Sequence, residues 1–436
     1  MSGKITQNIG RSSGLVKAPA SAGAVSWQTG DIKTGNFTAE AGKGYFCNTG
    51  SSAITATLPA GTAGDIIAFA DYASSFDSNT LTISPNGSEK INGTAAIALA
   101  TTEGLSVWLM YVDSTKGWKS IAGSTDDTTG LAPTYIVATG GSVATTGDYK
   151  VHTFTSNANF TVCSIGNASG GPNKVDYMVI AGGGGSGGSA GVATGSGGGG
   201  AGGYRESPGA ETGCYTVSPR GAAPAAAITV SAQAYPIVIG GGGGSGGSGY
   251  GNTGSSGSTS SGLGISSAGG GGGSGYNAPA SGNGGSGAGG AAWGPSNSKG
   301  TGNTPPVNPA QGSDGGDGTS TQNSTVSGGG GGGATGAGGE PGATSPLASN
   351  AGGVGGAGGT NCITGSPVAR ASGGVGGGAG NTPATAGGGA ASTGGDGTAG
   401  TANTGGGASG SSTPGSGNNS GAAGGSGVVI IRYKYQ

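Results

Sequence analysis

Asp176-Tyr177-Met178-Val179-Ile180-Ala181-Gly182-Gly183-Gly184-Gly185 is the stretch on which the fold turns: a short apolar strand runs without a break into glycine. From Asp176 onward the chain has 261 residues and holds 89 of the 112 glycines. Such a segment is either a flexible tether or an array of backbone packed directly on backbone. Glycine has no side chain to bury and loses more freedom on folding than any other residue, so only close backbone contact offsets its ordering. An extended threefold helix of the polyproline II type makes no internal hydrogen bonds and rises about 3.1 Å per residue. Several such helices side by side satisfy one another. The strict Gly-X-Y period and high proline content of collagen are missing.

A tether is disfavoured by what brackets the glycine. Tyr177–Ala181, Tyr235–Ile239 and Val428–Tyr435 are runs of Val, Ile and Tyr that need a half-buried pleated surface, and the last would be an aggregation hazard if left unpaired. We expect one small sheet to gather the start, middle and end of the glycine region at a base. Eleven blocks read as passes away from or toward it: 182–188, 197–203, 240–247, 269–275, 284–290, 328–339, 352–359, 373–380, 387–395, 405–410 and 421–427. A chain that leaves a sheet and returns needs an even number of passes, so at least one block is misassigned.

Counting alternation from Gly182 puts 189–196, 250–268, 292–327 and 360–372 at the far tip, and returns 276–283 and 340–351 to the base. The candidate contact residues on those tip loops are Ser189, Tyr250, Leu263, Trp293, Pro305, Pro306, Val307, Ile363 and Arg370. Exposed aromatics with stiffening prolines give contact area at low ordering cost, although Trp293, Tyr276 and Tyr250 can equally be read as plugs packed over the glycine.

The remaining chain reads as mainly β with almost no helix. We divide it into an attachment segment (1–24), a β-sandwich-like module (25–123), a linker (124–134), a small β unit (135–175) and the glycine-rich domain (176–436). Short apolar or alternating runs at 44–49, 53–59, 65–72, 79–83 and 105–112 carry the sandwich reading. The formal net charge of −2 argues against nucleic acid as a partner. No 18-residue apolar run or charged-then-apolar leader is present, so neither membrane insertion nor export by a recognisable route is expected. Only 13 of the 34 charged residues lie at or after Asp176, which leaves shape, amides, hydroxyls and aromatics to supply specificity there. Cys47, Cys163, Cys214 and Cys362 are far apart and read as free thiols, with no metal and no cofactor expected.

Three motifs fail on inspection. The glycines after Val179-Ile180-Ala181 imitate a dinucleotide fingerprint, but Ser189-Ala190-Gly191-Val192-Ala193-Thr194-Gly195 cannot form the helix it requires. Asp314-Gly315-Gly316-Asp317-Gly318 occurs once, where a calcium-binding repeat needs tandem copies, so it reads as a turn. His152 has no His, Cys or carboxylate near it in sequence and reads as a packed residue.

Two stretches resemble known proteins. Gly44 to Ile121, with Leu58-Pro59, 64–72, 79–83 and Lys116-Gly117-Trp118-Lys119, resembles a β module of tail fibres of tailed bacteriophages. Val151-His152-Thr153-Phe154-Thr155, Val175–Ala181, Gly202-Gly203-Tyr204-Arg205 and Gly427–Tyr433 resemble, in order and spacing, the glycine-rich distal domain of phage fibres and adhesins. The resemblance implies a structural virion protein made in the host cytoplasm, a homotrimer joined to tail or baseplate proteins through the N-terminal segment. It further implies a polyglycine II lattice whose tip loops bind host polysaccharide or an outer-membrane protein. Binding, with no enzymatic turnover, is the function expected. A purely structural head, neck or baseplate fibre is the alternative, and a depolymerase is disfavoured because acids after Asp176 are few and scattered.

Overall fold

The computed structural model describes residues 25–122, 133–167, 170–171, 173–191, 194–292, 297–319, 326–342, 351–378, 385–392, 394–413, 415 and 417–436. The attachment segment and most of the linker thus lie outside the described residues. The fold is mainly β, and the chain divides into two compact units, residues 1–134 with 167–170 and residues 135–166 with 171–436.

In the first unit the chain alternates between two sheets, so strands that follow one another in a sheet lie parallel. Phe37–Thr38, Ile54–Thr57 and Leu81–Ser84 are parallel neighbours, closed by antiparallel Ala98–Ala100. Ser26–Trp27, Lys43–Cys47 and Ile66–Asp71 are parallel in the other sheet, continued by antiparallel Ser106–Asp113 and Gly117–Ala122. The inward residues of both sheets, among them Tyr45, Ile54, Phe69, Leu81, Leu109 and Trp118, form a single core, which is the sandwich the alternating pattern called for. Burial pushes the Cys47 thiol up to about 12, a packed cysteine rather than a reactive one.

The second unit is layered. Its central sheet runs Ser142–Thr146, Tyr149–Phe154, Val428–Lys434, Lys174–Ile180, Tyr204–Glu206, with Ile228–Thr229 also paired to Lys174–Ile180. The first and last strands of the glycine region are direct antiparallel partners, from Asp176 opposite Arg432 to Ile180 opposite Val428. Residues 135–166 are therefore one body with the glycine region, not the separate unit their sequence suggested. The middle strand is corrected too. Ala234–Ile237 sits at the edge of a three-stranded sheet beside Ala158–Ser164, where Pro236 has no N–H to offer a central ladder. That small sheet packs its Phe160, Val162 and Ile237 against Tyr177, Val179, Val429 and Ile431, while Met178, Ile180 and Ile430 face Ala201, Ala334 and Ala371 at the foot of the glycine passes.

The passes are threefold helices, as their hydrogen bonds show residue by residue. Gly182, Gly185 and Gly188 donate to Ser258, Ser255 and Asn252 and accept from Gly270, Gly273 and Tyr276. Gly183 and Ser186 donate to Gly425 and Ala422 and accept from Gly243 and Gly246, while Gly184 donates to Gly200 and accepts from Ala408. Every third residue addresses the same neighbour, and six passes surround this one. The N–H groups reach passes running the opposite way and the C=O groups passes running the same way. A Cβ at Gly184 or Gly185 would collide with the carbonyl oxygen of Gly271 or Gly244. Where a pass borders the surface, side chains replace the missing neighbour. Asp314 and Asp317 accept from the Gly302 and Lys299 N–H, and Asn283 accepts from Thr301.

Candidate tip site of the glycine lattice

Pairing fixes the direction of each pass and hence which turns lie at the end away from the sheet. Gly182 to Gly188 leads outward, Ser196 to Gly203 returns, Gly240 to Gly247 leads outward again, and 252–258 returns. This last pass, Asn252-Thr253-Gly254-Ser255-Ser256-Gly257-Ser258, has no glycine block and escaped the block count. Its inward glycines are three apart, Gly254 and Gly257, and a Cβ on either would meet a carbonyl of the 182–188 pass. Residues 281–284, 297–303 and 395–401 are further returning passes of mixed composition. Asp314-Gly315-Gly316-Asp317-Gly318, read above as a turn, belongs to an outward pass. The block 328–339 is two passes joined by a turn at Ala334-Thr335, since Gly330 bonds Gly339 within it.

These passes reassign the loops. Leu263 caps a hairpin, Ser260–Gly262 with Ile265–Ser267, at the base, where it packs into the same cluster as Tyr177 and Val429. Ile363 and Arg370 belong to the hairpin of Gly359–Asn361 and Val368–Arg370, also at the base, with Ile363 fully buried against the sheet. Pro305, Pro306 and Val307 lie in a base turn, held by Gln311, whose side chain donates to the Pro305 carbonyl and whose backbone carbonyl accepts from Tyr204. Conversely 276–280 and Glu340-Pro341-Gly342, assigned above to the base, are at the tip side. Ser189 is at the tip but buried, its Oγ accepting from Ser411 Oγ at 3.1 Å. Trp293 lies outside the described residues; Ala292 beside it bonds Gly195 at the tip.

Among the described candidates, Tyr250 is the one at the tip with its side chain in solvent, 62% exposed. Its ring stands 5.4 Å from that of half-buried Tyr276, inclined at 55°. Both aromatics stand at the ends of passes. Gly251 N–H donates to the Tyr276 carbonyl, Tyr276 N–H to the Gly188 carbonyl, and Asn252 Nδ2 to the Ser248 carbonyl. Burial and the neighbouring Tyr250 hold the Tyr276 phenol above its usual range. A side chain on Gly191, whose φ is +88°, would come within 3.1 Å of the Tyr250 hydroxyl. Elsewhere at the tip, hydroxyls are consumed internally: Thr194 Oγ1 lies 2.9 Å from Thr413 Oγ1, and Ser196 Oγ donates to the Gly187 carbonyl.

The other concentration of polar chemistry is at the base and is enclosed. Asp176 accepts from Ser207 Oγ, Thr212 N and Thr212 Oγ1, and Glu206 accepts from Tyr204, Ser218 and Asn361. Burial raises the Glu206 carboxyl against those three donors. Both carboxyls are buried, so what they do is tie residues 204–218 and the 359–370 hairpin to the sheet. Arg432 is held between Tyr149 and Tyr215, 4.4 and 4.9 Å from the ring centres, and donates to the Ile363 carbonyl. Among the described residues no group of three His, Cys, Asp or Glu side chains converges as metal ligands. No helix among the described residues is long and apolar enough to cross a membrane.

A family described as a glycine-rich domain matches residues 155–434, nearly two thirds of the chain. No curated protein matches it.

Proposed function

The chain belongs to the glycine-rich domain family, and on that premise we propose that it is a fibre protein of a tailed bacteriophage that attaches the virion to its host through the tip turns. The observation that carries the reading is the separation of roles in the second unit. Backbone hydrogen bonding builds a stiff array, and the outward ends of its passes carry turns, one of which presents Tyr250 to solvent. A surface of this kind changes specificity by loop substitution without unfolding. The remaining parts follow from the resemblance to phage fibres. The protein is a homotrimer, residues 1–24 join it to other virion proteins, and the ligand is a polysaccharide or outer-membrane protein of the host. The edge strand Ser142–Thr146, with Val143 52% exposed, suits association between copies.

The test replaces 248–251, 276–280 and 293–296 together by Gly-Ser segments of equal length and measures adsorption of the purified chain to a panel of bacterial cells. Adsorption to at least one strain, lost in the variant while amide exchange at Gly182–Gly188 stays slow, supports the reading. Adsorption unchanged in the variant moves the protein to a purely structural fibre. Native mass spectrometry showing a monomer at micromolar concentration would remove the trimer.

A further inference from the structure

We infer that Tyr250 and Tyr276 form a binding platform for a neutral saccharide, an inference that deepens the tip reading and rests on it for its biological setting. The rings are 5.4 Å apart and inclined at 55°, an open V rather than a closed stack. Tyr250 leaves 62% of its surface in solvent. Exposed aromatic area is normally unfavourable, and the C–H face of a pyranose is the common polar ligand that covers it while keeping its hydroxyls in water.

The backbone that carries both rings is already tied down in the free protein. Tyr276 is fixed by its N–H bond to Gly188 and its carbonyl bond from Gly251, and the Tyr250 turn is closed by Asn252 Nδ2 to the Ser248 carbonyl. A platform whose backbone is tied to lattice ends loses less loop entropy on binding than a free loop would. Beside it the surface is low, because Gly191 presents no side chain toward the Tyr250 hydroxyl, and Asn277 is exposed next to Tyr276. Charge decides between saccharide classes. None of 187–195, 246–256 and 274–283 contains an Asp, Glu, Lys or Arg, so nothing there rewards a uronate, sialate or phosphate. A protein loop would need a larger apolar area than two rings supply.

The experiment titrates the purified full chain with maltotriose, a galactobiose and a mannotriose, with sialyllactose as the acidic comparison. It reads saturation transfer to the sugar and shifts of the Tyr250 and Tyr276 ring protons. At least one neutral probe should bind, at roughly millimolar affinity for so small a contact. Tyr250→Ala should weaken it about tenfold or more, and Tyr250→Phe, which keeps the ring, by no more than about threefold. Tyr276→Ala should weaken it similarly, with slow exchange at Gly182–Gly188 showing that the lattice is intact. The inference is overturned if no neutral probe moves either ring, if binding survives both alanine variants, or if sialyllactose binds better than every neutral probe. Cell adsorption separates the two readings. Adsorption that needs the tip turns, without saccharide binding, leaves attachment standing and removes the saccharide. Saccharide binding with adsorption indifferent to the tip turns does the reverse.

Discussion

Gly241 and Gly242 are neighbours in one pass and face opposite consequences on substitution. A Cβ at Gly242 would enter the carbonyl of Gly424, whereas at Gly241 it meets nothing within 4 Å, with no positive φ to forbid it. Gly242→Ala should therefore cost about 3 kcal/mol or more, since a backbone wall cannot move aside as a side chain does. Gly241→Ala should be neutral or stabilise by up to about 1 kcal/mol through the unfolded chain. Urea denaturation of the two variants checks both, and equal effects would show that backbone contact is not what holds the pass. His152 is the second residue whose chemistry is decided by place. Its Nδ1 donates to the Gly140 carbonyl at 2.7 Å and its Nε2 accepts from Tyr433 Oη at 3.1 Å, among Phe154 and Phe160. Burial, with Lys150 nearby, holds the imidazole below its ordinary range. The unfolded chain then takes up a proton first as pH falls below about 6.5, so His152 costs stability on acidification and is neutral above that. Glu206 acts in the opposite sense. Its raised carboxyl favours the fold below the ordinary carboxylate range, and that advantage is lost as pH rises through its folded value. Comparing wild type with His152→Phe between pH 7 and 5 isolates the histidine: the variant should start less stable, having stranded two hydrogen-bond partners, and lose less on acidification.

A pass is recognised by period rather than by glycine density, and this is where sequence reading succeeded and failed. Runs such as Gly182–Gly185 were legible because every row of an enclosed helix must be free of Cβ. Passes at the margin need fewer such rows, so 252–258 and 312–318 look like loops unless glycines three apart are noticed. Missing 252–258 sent Leu263 to the wrong end, missing 297–303 and 312–318 did the same for Pro305, and reading the folded-back block 328–339 as one pass did it for Ile363 and Arg370. Leu263 also illustrates a second limit: an aliphatic residue at positive φ, 55°, in a Leu-Gly turn reads as a surface tip, and only the sheet beneath it makes it core. The period can be tested at constant composition. In 312–318 the inward row is Gly312, Gly315 and Gly318, facing the carbonyls of Gly285, Ala288 and Ala291. Exchanging Asp314 with Gly315 places a carboxylate in that row and should abolish cooperative folding of the unit. Exchanging Ser313 with Asp314 leaves the row clear and should cost only about 1–2 kcal/mol, from disturbing the bonds that Asp314 accepts from Gly302 N–H and Ser313 accepts from Arg220. If both exchanges are tolerated alike, the threefold register is not specified by these glycines.

At the scale of the molecule, the glycine passes satisfy their own hydrogen bonds but bury almost no side chains, so they depend on the sheet for a hydrophobic contribution. That contribution is concentrated in one strand. Val428, Val429, Ile430, Ile431 and Tyr433 are each no more than 2% exposed; Val429, Ile431 and Tyr433 fill the cluster against the three-stranded sheet, and Val428 and Ile430 the cluster under the lattice. At about 1.5–3 kcal/mol for each fully buried side chain, this strand supplies on the order of 8–15 kcal/mol, as much as the whole net stability of an ordinary domain. Its pairing is also what closes the chain, since it lies between Tyr149–Phe154 and Lys174–Ile180, which do not pair with each other. Deleting 428–436 should therefore leave the second unit unfolded, with glycine amides such as those of Gly183 to Gly185 exchanging at the rate of free peptide. Deleting 1–134 removes the other compact unit apart from 167–170 and should leave those same amides slow. Hydrogen exchange on the two truncations decides the point. Protected glycines in the chain lacking 428–436 would mean that the lattice folds by backbone bonding alone, and exchange at the free-peptide rate in the chain lacking 1–134 would mean that the two units fold as one.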